Sequence, residues 1–191
     1  MSALRQHVTH WTIDEYLAFE NHANSKHEFL QGSIYAMAGS TPQHTDISLN
    51  TAGALRAQLR GKPCSARGLD QRLRVEEADL TTYPDIVVVC PPEKLSDKDR
   101  IAFTDATVII EVLSPSTAQY DKTSKFEYYS YLSSFRNYLL VEQSRIEVEH
   151  RFRDENGHWA TQIFRNLDDE IALPAIDCTL KLSDIYEEIA F

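Results

Sequence analysis

Hydrophobic positions along this chain fall into patterns of different period, and each predicts a different element. Thr107 to Leu113 and Tyr83 to Cys90 are nearly unbroken apolar runs, the mark of buried β-strands, and Asn137 to Glu142 reads as a further strand. Between Arg145 and Phe152 the pattern alternates instead. Ile146, Val148, His150 and Phe152 interleave with Arg145, Glu147, Glu149 and Arg151, which predicts a strand with one wet face. His158 to Arg165 then pairs back through the turn Asp154-Glu155-Asn156-Gly157, so the C-terminal third forms a β-meander.

Helices announce themselves by caps. Thr12 with Glu15 three residues on forms a capping box for a helix over Trp11 to Glu20, with Trp11 placed to staple onto Tyr16 or Leu17. Thr41-Pro42 starts a helix that reaches about Arg60, carries Ala52, Leu55 and Leu59 on its apolar stripe, and stops at Gly61 and Pro63. A third helix runs from about Ala118 to Ser133, after the loop Ser114-Pro115-Ser116, and a short one begins near Ser183. Glu28-Phe29-Leu30 and Ser33 to Met37 flank Gln31-Gly32 as a β-hairpin. Ser65 to Val75 is extended, Glu76 to Asp79 is an acidic turn, and Pro91-Pro92 with Glu93 to Arg100 is an exposed loop. Helix, hairpin, helix, three strands, helix and meander add up to an α+β fold with a mixed sheet, and residues 1–191 read as one domain.

Charge and cysteine usage narrow the partners. Nineteen Lys and Arg against 29 Asp and Glu give a net charge of −10, which argues against broad, charge-driven coating of nucleic acid and requires any basic cleft to be local. Cys64, Cys90 and Cys178 are odd in number and far apart, with no Cys-x-x-Cys pair. The expectation is three buried free thiols in a reducing cytosol. Met1 to Trp11 carries no apolar signal core and no stretch is long and apolar enough to span a membrane, so a cytoplasmic location without membrane association is expected.

Against this background Glu111 is out of place. A carboxylate within a buried strand is costly unless it is compensated. Asp85 sits just after Pro84, which belongs where a strand begins, and Glu111 is close to the strand exit at Ser114-Pro115. If the two strands are neighbours, both carboxylates converge on a hard cation such as Mg²⁺ or Mn²⁺, the arrangement of metal-assisted phosphodiester hydrolysis. The competing readings are a strand-capping aspartate and a buried salt bridge. In the following helix Asp121, Lys125, Tyr128 and Leu132 lie on one stripe, so Lys125 points toward the core, to pair with Glu111 or touch a phosphate, unless its stem merely snorkels. Lys122 lies on another stripe with Tyr129, as a surface residue or a substrate phosphate contact. Glu28 opens the hairpin, and His44, in the first turn of its helix, is either a hydrogen-bonded surface residue or a candidate general base or metal neighbour. No Ser-His-Asp pattern, Gly-rich phosphate loop or His-Glu-x-x-His helix occurs.

Four stretches carry a family resemblance: Lys26 to Ser40 with His44 beyond, Tyr83-Pro84-Asp85-Ile86-Val87-Val88, Ile110-Glu111-Val112-Leu113-Ser114-Pro115-Ser116-Thr117, and Asp121 through Lys125 to Tyr129. Over roughly Thr12 to Tyr186 the chain resembles the Uma-two family of predicted endonucleases, of the PD-(D/E)XK, restriction-endonuclease-like superfamily. The resemblance implies an αβββαβ core with His44 to Arg60 in its first helix. It implies Asp85 and Glu111 as metal carboxylates, with Glu28 and His44 at further polar positions. The superfamily pattern places a lysine two residues after the glutamate; that position is Leu113 here, and Lys125 is the matching lysine, moved to the next helix. The expected activity is Mg²⁺- or Mn²⁺-dependent endonucleolytic hydrolysis of DNA, more than RNA. The alternatives are a non-catalytic interaction protein on a nuclease-like scaffold, or a hydrolase of small phosphate esters. The meander, with Trp159 and Phe164, offers a face for a two-fold homodimer or for covering its own sheet.

Overall fold

A computed structural model describes residues 10–68 and 70–191. The expectation about a signal core falls largely on residues 1–9, outside the described residues. Helix α1 (Ile13–Glu20) has the predicted capping box: the Glu15 N–H donates to the Thr12 hydroxyl, and the Glu15 carboxylate accepts from the Thr12 N–H at 2.8 Å. Strands β1 (His27–Leu30) and β2 (Ser33–Ala36) follow as the predicted hairpin. Its turn is Gln31-Gly32, with φ of 47° and 82°, and two consecutive left-handed residues match the twist of a tight hairpin. Helix α2 (Pro42–Gln58) is capped by the Thr41 hydroxyl, which accepts from the His44 N–H at 3.1 Å.

The extended run Ser65 to Val75 is not one strand. It divides into β3 (Ser65–Gly68) and β4 (Leu73–Val75), which belong to different sheets, and the acidic turn leads to β5 (Leu80–Thr82). Strands β6 (Ile86–Val89) and β7 (Val108–Leu113) are adjacent interior strands of the larger sheet. The predicted helix after Ser116 is also shorter and differently wound. It comprises α3 (Ala118–Tyr120), a π-helical turn (Asp121–Lys125) and α4 (Phe126–Tyr129). The meander is β8 (Asn137–Glu142), β9 (Val148–Arg153) and β10 (Trp159–Phe164). A separate two-stranded ribbon of β11 (Glu170–Leu173) and β12 (Cys178–Lys181), which the sequence pattern did not announce, precedes α5 (Leu182–Ile185).

The larger sheet has six strands in the order β10-β9-β8-β7-β6-β3, all antiparallel except the β7–β8 pair. Read in chain order, α2, β3, β6, β7, the α3–α4 segment and β8 make the αβββαβ core, and the fold is α+β with a mixed sheet. Alternation within the buried strands sends side chains to two cores. Ile86, Val88, Ile110 and Val112 pack with Ile47 and Leu55 of α2. Val87, Val89, Ile109 and Leu113 pack on the other side with Tyr129, Phe135 and Tyr138. The smaller sheet, β2-β1-β5-β4, is entirely antiparallel and brings the hairpin over the α3–α4 side.

Two of the three cysteines are not free thiols. The β3–β6 register pairs Ser65 with Val89, so one residue further Cys64 and Cys90 face each other, and they form a disulfide. Only Cys178 is free and buried. A separation of 26 residues and an odd count concealed a pair that strand register creates. The pair also removes the thiol argument for a reducing compartment. Among the described residues no helix is long and apolar enough to cross a membrane.

The wet-faced strand β9 turns His150 inward, 4% exposed, with its Nε2 2.9 Å from the Asn137 side-chain oxygen and its ring against Phe152. Burial holds its pKa down, at about 4. Because the folded protein resists a proton that the unfolded chain accepts, stability is full above the unfolded value and falls as pH drops toward the folded one. Between pH 7 and pH 5 this residue should remove about 2 kcal/mol of stability. Urea denaturation at the two pH values should show a correspondingly smaller loss for His150→Gln; equal losses would refute the assignment.

Candidate active site

The β6–β7 ladder ends at Ile86 opposite Ile110, so the next residues across are Asp85 and Glu111. Pro84 has no N–H to extend the ladder, and the polar groups at its end are met by the two carboxylates. The Asp85 Oδ2 accepts from the Val112 N–H at 2.7 Å, and the Glu111 Oε2 accepts from the Asp85 N–H at 3.3 Å. Gly68 permits this corner: a Cβ there would stand 2.8 Å from the Asp85 carbonyl oxygen. The preceding Tyr83 anchors it from behind. Its hydroxyl donates to Glu20 of α1 at 2.7 Å and accepts from the Arg72 Nε at 2.7 Å, while Arg72 is paired with Asp99.

Lys125 reaches this corner from the π turn. Its Nζ lies 3.1 Å from Glu28, 3.2 Å from Glu111 and 3.2 Å from Asp121. The π turn sets which side chains join it. Its i→i+5 winding holds an extra residue per turn, so the stripe runs through Asp121, Lys125 and Tyr129 rather than through Tyr128. Tyr128 is only half-buried, whereas Tyr129 is fully buried and donates its hydroxyl to the Glu111 Oε1 at 2.8 Å. Leu113, where the superfamily pattern has lysine, is packed in the apolar core, and the ammonium arrives from the helix instead.

Glu28 points into the site from β1 and accepts a hydrogen bond from the Thr82 hydroxyl. His44, on α2, places its Nε2 3.3 Å from the Asp85 Oδ2. Thr41 ties the start of α2 to the end of β7: its hydroxyl donates to Gln143 at 2.6 Å, and the Gln143 amide donates to the Leu113 carbonyl at 2.7 Å. Five of the six residues singled out in the sequence, Asp85, Glu111, Lys125, Glu28 and His44, therefore line one cavity of about 680 Å³. Lys122 is not among its lining residues; it is half-buried, and its carbonyl accepts from Arg151 at 2.8 Å. Sequence reasoning placed Asp121 on the stripe without giving it a role, and missed Tyr129 because a regular α-helical period turns it away. It also missed Thr82, which nothing in the local pattern distinguishes.

One ammonium among Glu28, Glu111 and Asp121 cannot neutralise all three. Burial would lower the pKa of Lys125, but Glu111, Glu28 and Asp121 hold it well above the ordinary value. Glu111 is left under-compensated. Burial raises its carboxyl pKa against the pull of Lys125, and Asp121 and Asp85 raise it further. For His44, burial works downward, yet Asp85 and the Val112 backbone keep its pKa raised.

These residues suit a hard divalent cation in kind. Asp85 and Glu111 are neighbouring carboxylates in an acid-rich cleft, and the Asp85 Oδ1 has no hydrogen-bond partner among the described residues. No group of three or more His, Cys, Asp or Glu side chains is disposed to hold a metal among the described residues. Mg²⁺ is content with one or two carboxylates, completing its shell with water and substrate oxygen, so a two-carboxylate site is a fit.

An αβββαβ sheet core with paired carboxylates at the ends of two neighbouring strands, and a lysine reaching them from the following helix, defines a protein of the restriction-endonuclease-like class. Residues 13–183 match the model of the Uma2 family, described as "Putative restriction endonuclease", and the chain belongs to that family. It is 30% identical over 178 residues to the protein slr1290 of Synechocystis sp., covering 93% of this chain and 92% of that one. It is 33% identical over 148 residues to sll1609 of the same organism, covering 78% and 84%. Both are described as uncharacterized. Among solved structures, a protein of Anabaena variabilis described as "a putative nuclease belonging to DUF820" has the same fold, with a TM-score of 0.75, 19% identity and coverage of 94% of this chain and 99% of that one.

Proposed function

We propose that the chain, acting as one nuclease-like domain, is a Mg²⁺- or Mn²⁺-dependent endonuclease that hydrolyses phosphodiester bonds in DNA. The observation that carries this reading is the excess of negative charge at the strand ends. Four carboxyl groups, Glu28, Asp85, Glu111 and Asp121, line the cavity with one lysine. Such a cluster is costly by itself and is balanced when a cation enters. Asp85 and Glu111 would hold the metal, which supplies Lewis acidity and a water of lowered pKa. Lys125 places its ammonium beside Glu111, where it stabilises negative charge developing on the phosphate. Glu28, Asp121 and Tyr129 are positioning residues: the two carboxylates aim the Lys125 ammonium, and the Tyr129 hydroxyl fixes one oxygen of Glu111. His44 steadies Asp85 from the α2 side.

The test needs no knowledge of the substrate. Titrating Mn²⁺ into the protein by calorimetry should give saturable binding that is lost in Asp85→Ala with the circular dichroism unchanged. Equal heats from the wild type and the variant would exclude Asp85 as a ligand and favour a non-catalytic interaction role for the scaffold.

A further inference from the structure

We propose that the cleft accepts an unpaired nucleotide of a single-stranded stretch, with its base stacked on Tyr35 while its phosphate lies at the Asp85–Glu111 end. This rests on the nuclease reading and goes beyond it in naming the form of the substrate.

Three observations point to it. The first is the position of Tyr35. In the β1–β2 ladder Tyr35 is directly opposite Glu28, and residues paired across antiparallel strands share a face of the sheet. Glu28 sends its carboxylate to Lys125, so the Tyr35 ring stands on the same side, and both line the cavity. Yet Tyr35 is 54% exposed and has no ring or hydrogen-bond partner among the described residues. An exposed, unpartnered aromatic ring on an edge strand, at the wall of the cavity that holds the paired carboxylates, is a stacking platform; every base has a π-face to lay on it.

The second observation is charge. A duplex is gripped by neutralising several backbone phosphates with Lys and Arg. Of the residues lining this cavity only His44 and Lys125 can carry positive charge, and the Lys125 ammonium is already shared by three carboxylates. Such a wall tolerates few phosphates; a single strand carries about half the phosphate charge of a duplex per unit length and so is disfavoured less, and its unpaired base can supply affinity by stacking. The third is size. About 680 Å³ lies in the range of pockets that enclose a small molecule, and the walls include Leu30, Met37 and Tyr120. Room and lining suit one nucleotide unit better than the face of a double helix.

The test is equilibrium binding with Ca²⁺ as the cation, using a single-stranded DNA 12-mer with one 2-aminopurine, its blunt duplex, and the RNA of the same sequence. The single strands should bind more tightly than the duplex and quench the 2-aminopurine. Tyr35→Ala should weaken single-strand binding by about tenfold or more and abolish the quench, while Tyr35→Phe retains both. Which of the two single strands binds better distinguishes DNA from RNA, and either fits the proposal. Duplex binding as tight as single-strand binding, or indifference to Tyr35→Ala, would overturn it. So would competition by free AMP as strong as by the oligonucleotide, since the site would then take mononucleotides. If duplex plasmid is cut with Mn²⁺ and Tyr35→Ala cuts it equally well, the inference fails and the nuclease reading stands. If no nucleic acid is bound or cut, both fall.

Discussion

Glu111→Gln should yield a folded protein, no less stable than the wild type near neutral pH, that has lost Mn²⁺ binding and cuts nucleic acid on the order of a hundredfold more slowly or worse. The two halves of this expectation have one cause. Glu111 is 4% exposed, and burial pushes its carboxyl pKa up against the pull of Lys125. With the folded pKa raised to about 8, the stability this group contributes is full below the unfolded value and is lost as pH climbs from there to the folded one, so near neutrality most of that loss has already occurred, whether the site keeps the proton or buries the charge. Glutamine removes the charge and keeps the shape. One acceptor remains for the Tyr129 hydroxyl or the Asp85 N–H, which now donate to Glu111. The amide cannot bind a hard cation as a carboxylate does. Thermal unfolding, Mn²⁺ calorimetry and cleavage measured on the same preparation decide it. A variant that unfolds much earlier would mean that the charge is structural. One that still cuts would remove Glu111 from the mechanism.

Lys125→Met has the opposite profile and should be strongly destabilising. The stem can be replaced by a chain of similar volume, but Glu28, Glu111 and Asp121 then share a buried space without the ammonium that now lies within 3.2 Å of each. Removing one partner from a buried ion cluster costs about 3–5 kcal/mol. For a chain of this size that lowers the melting temperature by about 6–20 °C. Part of the loss should return when Asp121 is also changed to Asn, since one uncompensated charge is then gone. A double variant no more stable than the single one would show that the cluster does not act as a unit. Activity should be lost in both variants, because neither carries the charge beside Glu111.

These two residues show how far local pattern reaches. Glu111 is conspicuous in the sequence because a charge interrupts an apolar run, and burial explains both its visibility and its pKa. Lys125 is visible as a lysine on an apolar stripe. The identity of that stripe is not, because an α-helical period favours Tyr128 where the π turn brings Tyr129 to the site. The Ser65 to Val75 stretch reads as one extended run, and its division between two sheets depends on neighbours distant in sequence. Gly68 is unremarkable until the Asp85 carbonyl lies against it.

By itself the sequence determined the local elements: the capping box at Thr12, the hairpin turn at Gln31-Gly32, the start of α2 at Thr41-Pro42 and the buried strands that carry Ile86 to Val89 and Val108 to Leu113. These follow from backbone preferences and hydrophobic period, which act between near neighbours. The tertiary structure alone decided which distant residues meet. Strand register set Asp85 beside Glu111, Tyr35 on the face of Glu28 and Cys64 against Cys90. The pitch of one helical turn selected Tyr129. Register and pitch arise from packing two sheets and a helix into shared cores, a free energy spread over many side chains, and no short window of sequence contains it.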